Sequence, residues 1–143
     1  MIHQSGKKKL NLESKHRKAL IRNQAIHFIK YGSLKTTLAK IKEVRRVVEK
    51  VVTIAKKGNH FNNRRKANAI LPYDLETVEI LFKTIAPKYS SRNGGYTRIF
   101  RLQQRVSDTA QIGKLLWVEE NIIENTSKNE QILKEVVLSD NNN

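Results

Sequence analysis

Cysteine is absent from this 143-residue sequence, which excludes a disulfide framework and a thiolate metal site alike. No apolar run approaches the roughly 20 residues that span a bilayer. The opening residues carry lysines with no apolar stretch behind them, so no secretory signal is expected, and a soluble, intracellular protein is the simplest reading. Acidic residues are scarce: 13 stand against 28 lysines and arginines, a formal charge of +15. Self-repulsion on that scale opposes compaction, so a partner carrying counter-charge is expected, either nucleic acid or an acidic membrane surface. Aromatic residues make up only 6% of the chain, too few for the stacking platform that grips single strands.

The charge that is present is unevenly placed. Residues 1–111 hold 25 basic and 7 acidic side chains, a net of +18, whereas residues 112–143 carry a net of −3. Residues 1–13 lack helical periodicity and read as a basic arm. Residues 14–119 read as a single domain, and 120–143 as an acidic tail that forms a short helix or stays disordered. In that tail Ser127 and Glu130 fit a capping box ahead of Ile132, Leu133, Val136 and Val137.

Within the domain, Ser14 is the expected cap of a helix running to about Lys30, with Ile21, Ala25, Ile26, Phe28 and Ile29 on one side and Gly32 ending it. A short extended piece, Ser33 to Thr36, follows. Thr37 is placed to cap a helix from Leu38 to Lys57, closed by Gly58. Its apolar residues cover an arc of about 200°, broad enough to pack on two sides. Asn63 is the expected cap of a short helix through Leu71, which Pro72 interrupts. Asp74 caps another to about Ala86. Gly94-Gly95 marks a turn into a hairpin of Tyr96 to Val106 and Ile112 to Glu119. On the first strand Tyr96, Phe100, Leu102 and Val106 share a face, and Thr97, Arg101, Gln103 and Arg105 share the other. The expected class is α+β: several helices packed on a small sheet built around a C-terminal hairpin.

Basic clusters recur along the first half: Lys7-Lys8-Lys9, Lys15-His16-Arg17-Lys18, Arg45-Arg46, Lys56-Lys57 and Arg64-Arg65-Lys66. Arg92, Arg98, Arg101 and Arg105 continue the pattern around the hairpin. One such cluster is a solvated surface; five with few acids among them point to nucleic acid. Arginines on strands suit a rigid bidentate grip on phosphate, and Tyr96 beside Arg98 is the candidate base or ribose contact. The histidines His3, His16, His27 and His60 do not pair at metal-ligand spacing. The serines lack a partnering base, and Gly94-Gly95 lacks the lysine of a phosphate loop. No cofactor, metal, membrane or small-molecule partner is expected, and no enzyme. The competing readings are a DNA-binding protein using Leu38 to Lys57 as a groove-reading helix, and an RNA-processing enzyme, for which clustered carboxylates are missing.

Several blocks are similar to one family. They are Lys9-Leu10-Asn11, His16-Arg17 and Arg22-Asn23, then Lys35-Thr36-Thr37-Leu38, Lys40 and Arg45-Arg46. Asn63-Arg64-Arg65 and Ser91-Arg92-Asn93-Gly94-Gly95-Tyr96-Thr97-Arg98-Ile99 follow in order. Over about residues 3 to 119 the chain resembles the bacterial large-subunit ribosomal protein L17 family. The resemblance implies a structural constituent of the large ribosomal subunit, docked on ribosomal RNA near the exit of the peptide tunnel, beside other large-subunit proteins. It implies that the basic arm and the arginine-bearing turn contact RNA, and Arg22, Asn23, Lys35 and Lys40 in the matching blocks join the expected contacts. The lack of a transit-like extension favours a cytoplasmic ribosome, with an organellar one left open. Four features depart from the pattern: Ile2 for a basic residue, Leu12 for a common arginine, Ser107 for the glycine before Asp108, and the acidic tail.

Overall fold

The computed structural model describes residues 8–72 and 74–118. The expected tail, its capping box, Lys7 and Ile2 lie outside the described residues. Among the described residues five α-helical segments and three strands follow in the order α1 (Ser14–Tyr31), β1 (Ser33–Thr37), α2 (Leu38–Lys56), α3 (Phe61–Ile70) and α4 (Leu75–Ile80). A π-helical turn, Leu81–Ile85, then leads into α5 (Ala86–Lys88), β2 (Thr97–Gln104) and β3 (Gln111–Trp117). The α+β expectation holds.

Helix α1 buries Ala25, Phe28 and Ile29, as its period requires. Gly32 ends it in the left-handed conformation at φ 73°, its N–H returning to the carbonyl of Phe28. The start differs from expectation by one residue: Glu13 occupies the cap position, Ser14 lies inside the helix, and Glu13 makes no side-chain capping bond. Thr37 does precede α2, again without a side-chain bond. On α3 the boundary moves further. His60 is the cap residue, and Asn63 sits within the helix, its amide reaching back to the Gly58 carbonyl at 2.9 Å. Asp74 caps α4 as expected, accepting from the Thr77 amide at 3.0 Å. Burial alone would raise the Asp74 carboxyl, but the Thr77 amide and the Lys30 ammonium outweigh it and hold the group below its ordinary range. Lys30 lies 3.0 Å from Asp74 and 2.9 Å from Glu76, tying the end of α1 to the start of α4. The widened turn at Leu81–Ile85 has a local cause. Pro87 has no N–H to give the Lys83 carbonyl, and its ring would crowd that carbonyl in a regular helix.

Helix α2 is the centre of the molecule. Ile41, Val44, Val48, Val51 and Val52 are completely buried on it, each contributing about 1.5–3 kcal/mol relative to exposure. Its broad apolar arc packs against α1 and α3 on one side and against the sheet and α5 on another.

The sheet order is β1-β3-β2, with both pairings antiparallel. The extended piece after Gly32 thus becomes an edge strand beside β3. Leu34, Leu115, Thr97 and Gly113 turn toward the helices. On β2 this overturns the facing suggested by apolar content: Thr97 and Ile99 face the core, and Phe100 (45% exposed) and Leu102 (38%) face outward. The register is the reason. Thr97 pairs with Trp117 and Ile99 with Leu115, and the Trp117 ring is held by Phe28 at 4.5 Å and Tyr89 at 5.7 Å. A bulge between Arg101 and Gln104 then relaxes the pairing toward the turn.

Gly113 is needed for a close approach. A Cβ there would stand 3.0 Å from Ile41 Cδ1 and 3.2 Å from the Phe100 carbonyl oxygen. Gly113→Ala is therefore expected to destabilise by about 1–3 kcal/mol through overpacking. Urea unfolding checks this; an unchanged midpoint would mean the sheet shifts freely on α2.

Candidate nucleic-acid interface

Basic residues expected to act together are brought onto three surfaces. The first lies where α1, α2 and α3 meet. Lys8, Arg17, Lys18, Arg22 and Arg46 surround a groove there. Glu43, only 7% exposed, accepts a hydrogen bond from the Lys8 backbone N–H at 3.1 Å and lies 3.6 Å from the Arg46 guanidinium. Arg17 donates to the Lys9 carbonyl at 3.4 Å. The start of the described chain is thereby fixed onto α2. Leu10 and Asn11 make the bend, both with positive φ, and Leu12 is half-buried after them. His16 and Asn23 are exposed on α1.

The second surface is the outward face of the sheet. Lys35 on β1 pairs directly with Lys114 on β3, and Lys114 pairs with Phe100 on β2. In the adjoining row Ser33, Leu116 and Arg98 stand side by side. Two ammonium groups directly opposite one another on a sheet are destabilising. An anion between them would reverse the sign of that contact. Lys40, Arg105 and Lys35 also line a shallow groove at the turn end.

The third surface follows the loop before β2. Gly94 and Gly95 have φ of 140° and 65°, a conformation other residues rarely adopt. Glu49 holds the end of the loop, accepting from the Tyr96 amide at 3.1 Å, the Thr97 amide at 3.0 Å and the Thr97 hydroxyl at 2.7 Å. Lys56 donates to the Arg92 carbonyl and sits 5.3 Å over the Tyr96 ring. Arg98 and Arg101 are exposed beyond this anchor, and Arg92 is half-buried.

One expected contact is corrected. The Tyr96 side chain is 2% exposed and packs on Tyr89 at 5.5 Å, so its ring is part of the core and cannot meet a base. The phenol and the neighbouring arginine look the same in sequence whichever way the strand faces. Arg65 is exposed on α3, and Arg64 lies 3.9 Å from Glu79. Arg45 is partly exposed, 3.7 Å from Glu49. Two residues not singled out from the sequence matter here. Lys114 could have been found from its alternation with Gly113 and Leu115. Glu49 carried no local signal, since its bonds span 47 and 48 residues.

Arg105 has a second task. It forms a two-pronged contact with Asp108, Nε to Oδ1 at 2.8 Å and Nη2 to Oδ2 at 2.5 Å. Those bonds, with the Ala110 amide, hold the Asp108 carboxyl down at about 2. A carboxyl lowered on folding stabilises the turn above its ordinary 3.8 and loses that contribution as pH falls through about 2. An NMR titration should place the Asp108 midpoint near 2, and Arg105→Gln should return it toward 3.8. A midpoint unchanged by the substitution would refute the contact. Ser107 has no positive φ; the left-handed position of this turn falls at Thr109, φ 53°, so a glycine before Asp108 is not required here.

The profile described as Ribosomal protein L17 matches residues 20–118, a stretch containing β1, the α2 core and the whole hairpin. The chain belongs to the ribosomal protein L17 family. It is similar to a protein of Brucella ovis named large ribosomal subunit protein bL17, at 40% identity over 122 residues, which is 85% of this chain and 84% of the relative. A Campylobacter hominis protein of the same name is 41% identical over 120 residues, 84% of this chain and all of the relative. Membership of the L17 family makes this a structural, non-enzymatic protein, and the three surfaces are read as binding surfaces accordingly. Among the described residues no helix is long and apolar enough to cross a membrane.

Proposed function

We propose that this chain, as a structural constituent of the large ribosomal subunit, binds and stabilises folded ribosomal RNA on the side near the peptide exit tunnel, next to other large-subunit proteins. The observation carrying this reading is the outward sheet face. Among the described residues the helices pack on its other side, and it opposes Lys35 to Lys114 beside Arg98 and Phe100. Such an arrangement costs stability in the free protein and is relieved by phosphate. Arg17, Arg22 and Arg46, and the exposed Arg65 and Arg101, extend the contact to the other surfaces, while Lys8 and Lys9 bring the arm to it. The DNA-binding reading is less favoured, because α2 is the buried centre of the molecule, packed against α1, α3 and the sheet, and leaves exposed only a narrow stripe of Lys42, Arg46, Lys50 and Thr53 among the described residues.

Sucrose-gradient fractionation of a native lysate tests the proposal. The chain is expected in the large-subunit peak at one copy per particle. Recovery on chromosomal DNA, or only as free protein, would overturn it.

A further inference from the structure

The groove between α1, α2 and α3 has a feature that electrostatic attachment alone does not require. Its volume is about 390 Å³, and its floor is apolar, formed by Ile21 of α1, Val47 of α2 and Ala69 and Ile70 of α3. Ile21, Val47 and Ile70 are only partly buried, packed on the core below and open above. On α1 the helical spacing sets Arg17 and Lys18 one turn before Ile21 and Arg22, so an apolar patch is framed by cations along its length. Arg46 and Lys8 close the far side. Glu43, the one carboxylate lining the groove among the described residues, is engaged by the Lys8 backbone N–H and lies against Arg46, so it positions the rim more than it neutralises it.

A duplex laid over this groove would meet the cations with its phosphates and leave the floor wet, because its bases are stacked inside. An unpaired nucleotide matches both parts. Its base can leave the stack and cover the apolar floor, and its flanking phosphates fall to the rim. The volume lies within the range of about 300–1,000 Å³ typical of small-ligand pockets, room for one nucleotide unit. Arginine and lysine stems lying across an exposed apolar strip is the simpler use of such a surface. Here, however, the described side chains leave the groove open between them.

We propose that this groove takes a single unpaired, unstacked nucleotide of the bound RNA, with the base on Ile21, Val47 and Ile70 and the adjoining phosphates on Arg17, Lys18 and Arg22. The proposal rests on the RNA-binding reading above and specifies the RNA feature recognised.

The test uses the full chain and two RNA hairpins of equal length, one fully paired and one with a single-nucleotide bulge carrying 2-aminopurine. The bulged hairpin is expected to bind about tenfold tighter, with a changed 2-aminopurine emission. Val47→Gln should bring the two affinities together while leaving that for the paired hairpin unchanged. Ile21→Gln, on the α1 side of the floor, should do the same and serves if the first variant folds poorly. Equal affinity of the native chain for both hairpins, with unaltered emission, would overturn the nucleotide subsite and leave the phosphate-binding reading standing. Failure to bind either hairpin at low salt would remove both.

Discussion

Affinity for ribosomal RNA should fall by about 10³–10⁵ between 50 and 200 mM salt if six to ten phosphates are neutralised. The sequence supplies far more cations than that, but the structure selects among them. Arg105 is held by Asp108, Lys30 by Asp74 and Glu76, and Lys56 by the Arg92 carbonyl. Lys35, Lys114 and Arg98 on the sheet, with Arg17, Lys18 and Arg22 at the groove, lead the set expected to contribute, followed by Lys8, Lys9, Arg46, Arg65 and Arg101. Each released counterion adds about 0.7–0.9 to the slope of log K against log salt. Lys35→Ala and Lys114→Ala should therefore each flatten the slope by somewhat under one. Both should also modestly stabilise the free protein, because each removes a like-charge pair. Filter binding across a salt series, with thermal melts of the same variants, measures both effects. A salt response near zero would contradict the phosphate reading outright.

Glu49→Ala is expected to be the most damaging single substitution outside the apolar core. The carboxylate accepts from two backbone amides and a hydroxyl, and the residues that donate, Tyr96 and Thr97, are each 2% exposed. Removing it strands three donors where water has little access. At about 1–3 kcal/mol for each buried donor left unpaired, and with some water entering the space vacated, the loss should reach about 3 kcal/mol. For a chain of 143 residues that is a fall in Tm of about 10 °C. Glu49→Gln keeps one acceptor oxygen but turns an amide toward the donors, so an intermediate loss is expected. RNA affinity should fall as well, because the same bonds fix the strand on which Arg98 and Arg101 are carried. A loss below about 1 kcal/mol on guanidinium unfolding would mean that the loop is held chiefly by the packing of Tyr96 on Tyr89.

Both predictions turn on the difference between local and non-local information. Helix α2 was readable because its pattern repeats every turn and the backbone geometry converts that repeat into one face. Gly32 and Asp74 were readable because the end of a helix leaves unpaired groups that those residues satisfy. Caps at Ser14 and Asn63 misled for the same reason that they attract attention: several nearby residues could serve, and packing shifted the boundary. The basic surface was legible as charge, and the family blocks carried most of its members.

From the sequence alone came the α+β class, the breadth of the α2 core, the bend at Gly94-Gly95 and the expectation of a polyanionic partner. Each rests on periodicity, on a single backbone requirement or on net charge, all of which are properties of neighbouring residues. Tertiary structure alone decided that Ser33–Thr37 joins β3, that Tyr96 turns inward while Phe100 turns out, and that Glu49 anchors a loop 47 residues away. The reason is competition for one core. A strand can present either face, and which it buries is set by the register with its partner and by the aromatic rings already packed beneath it.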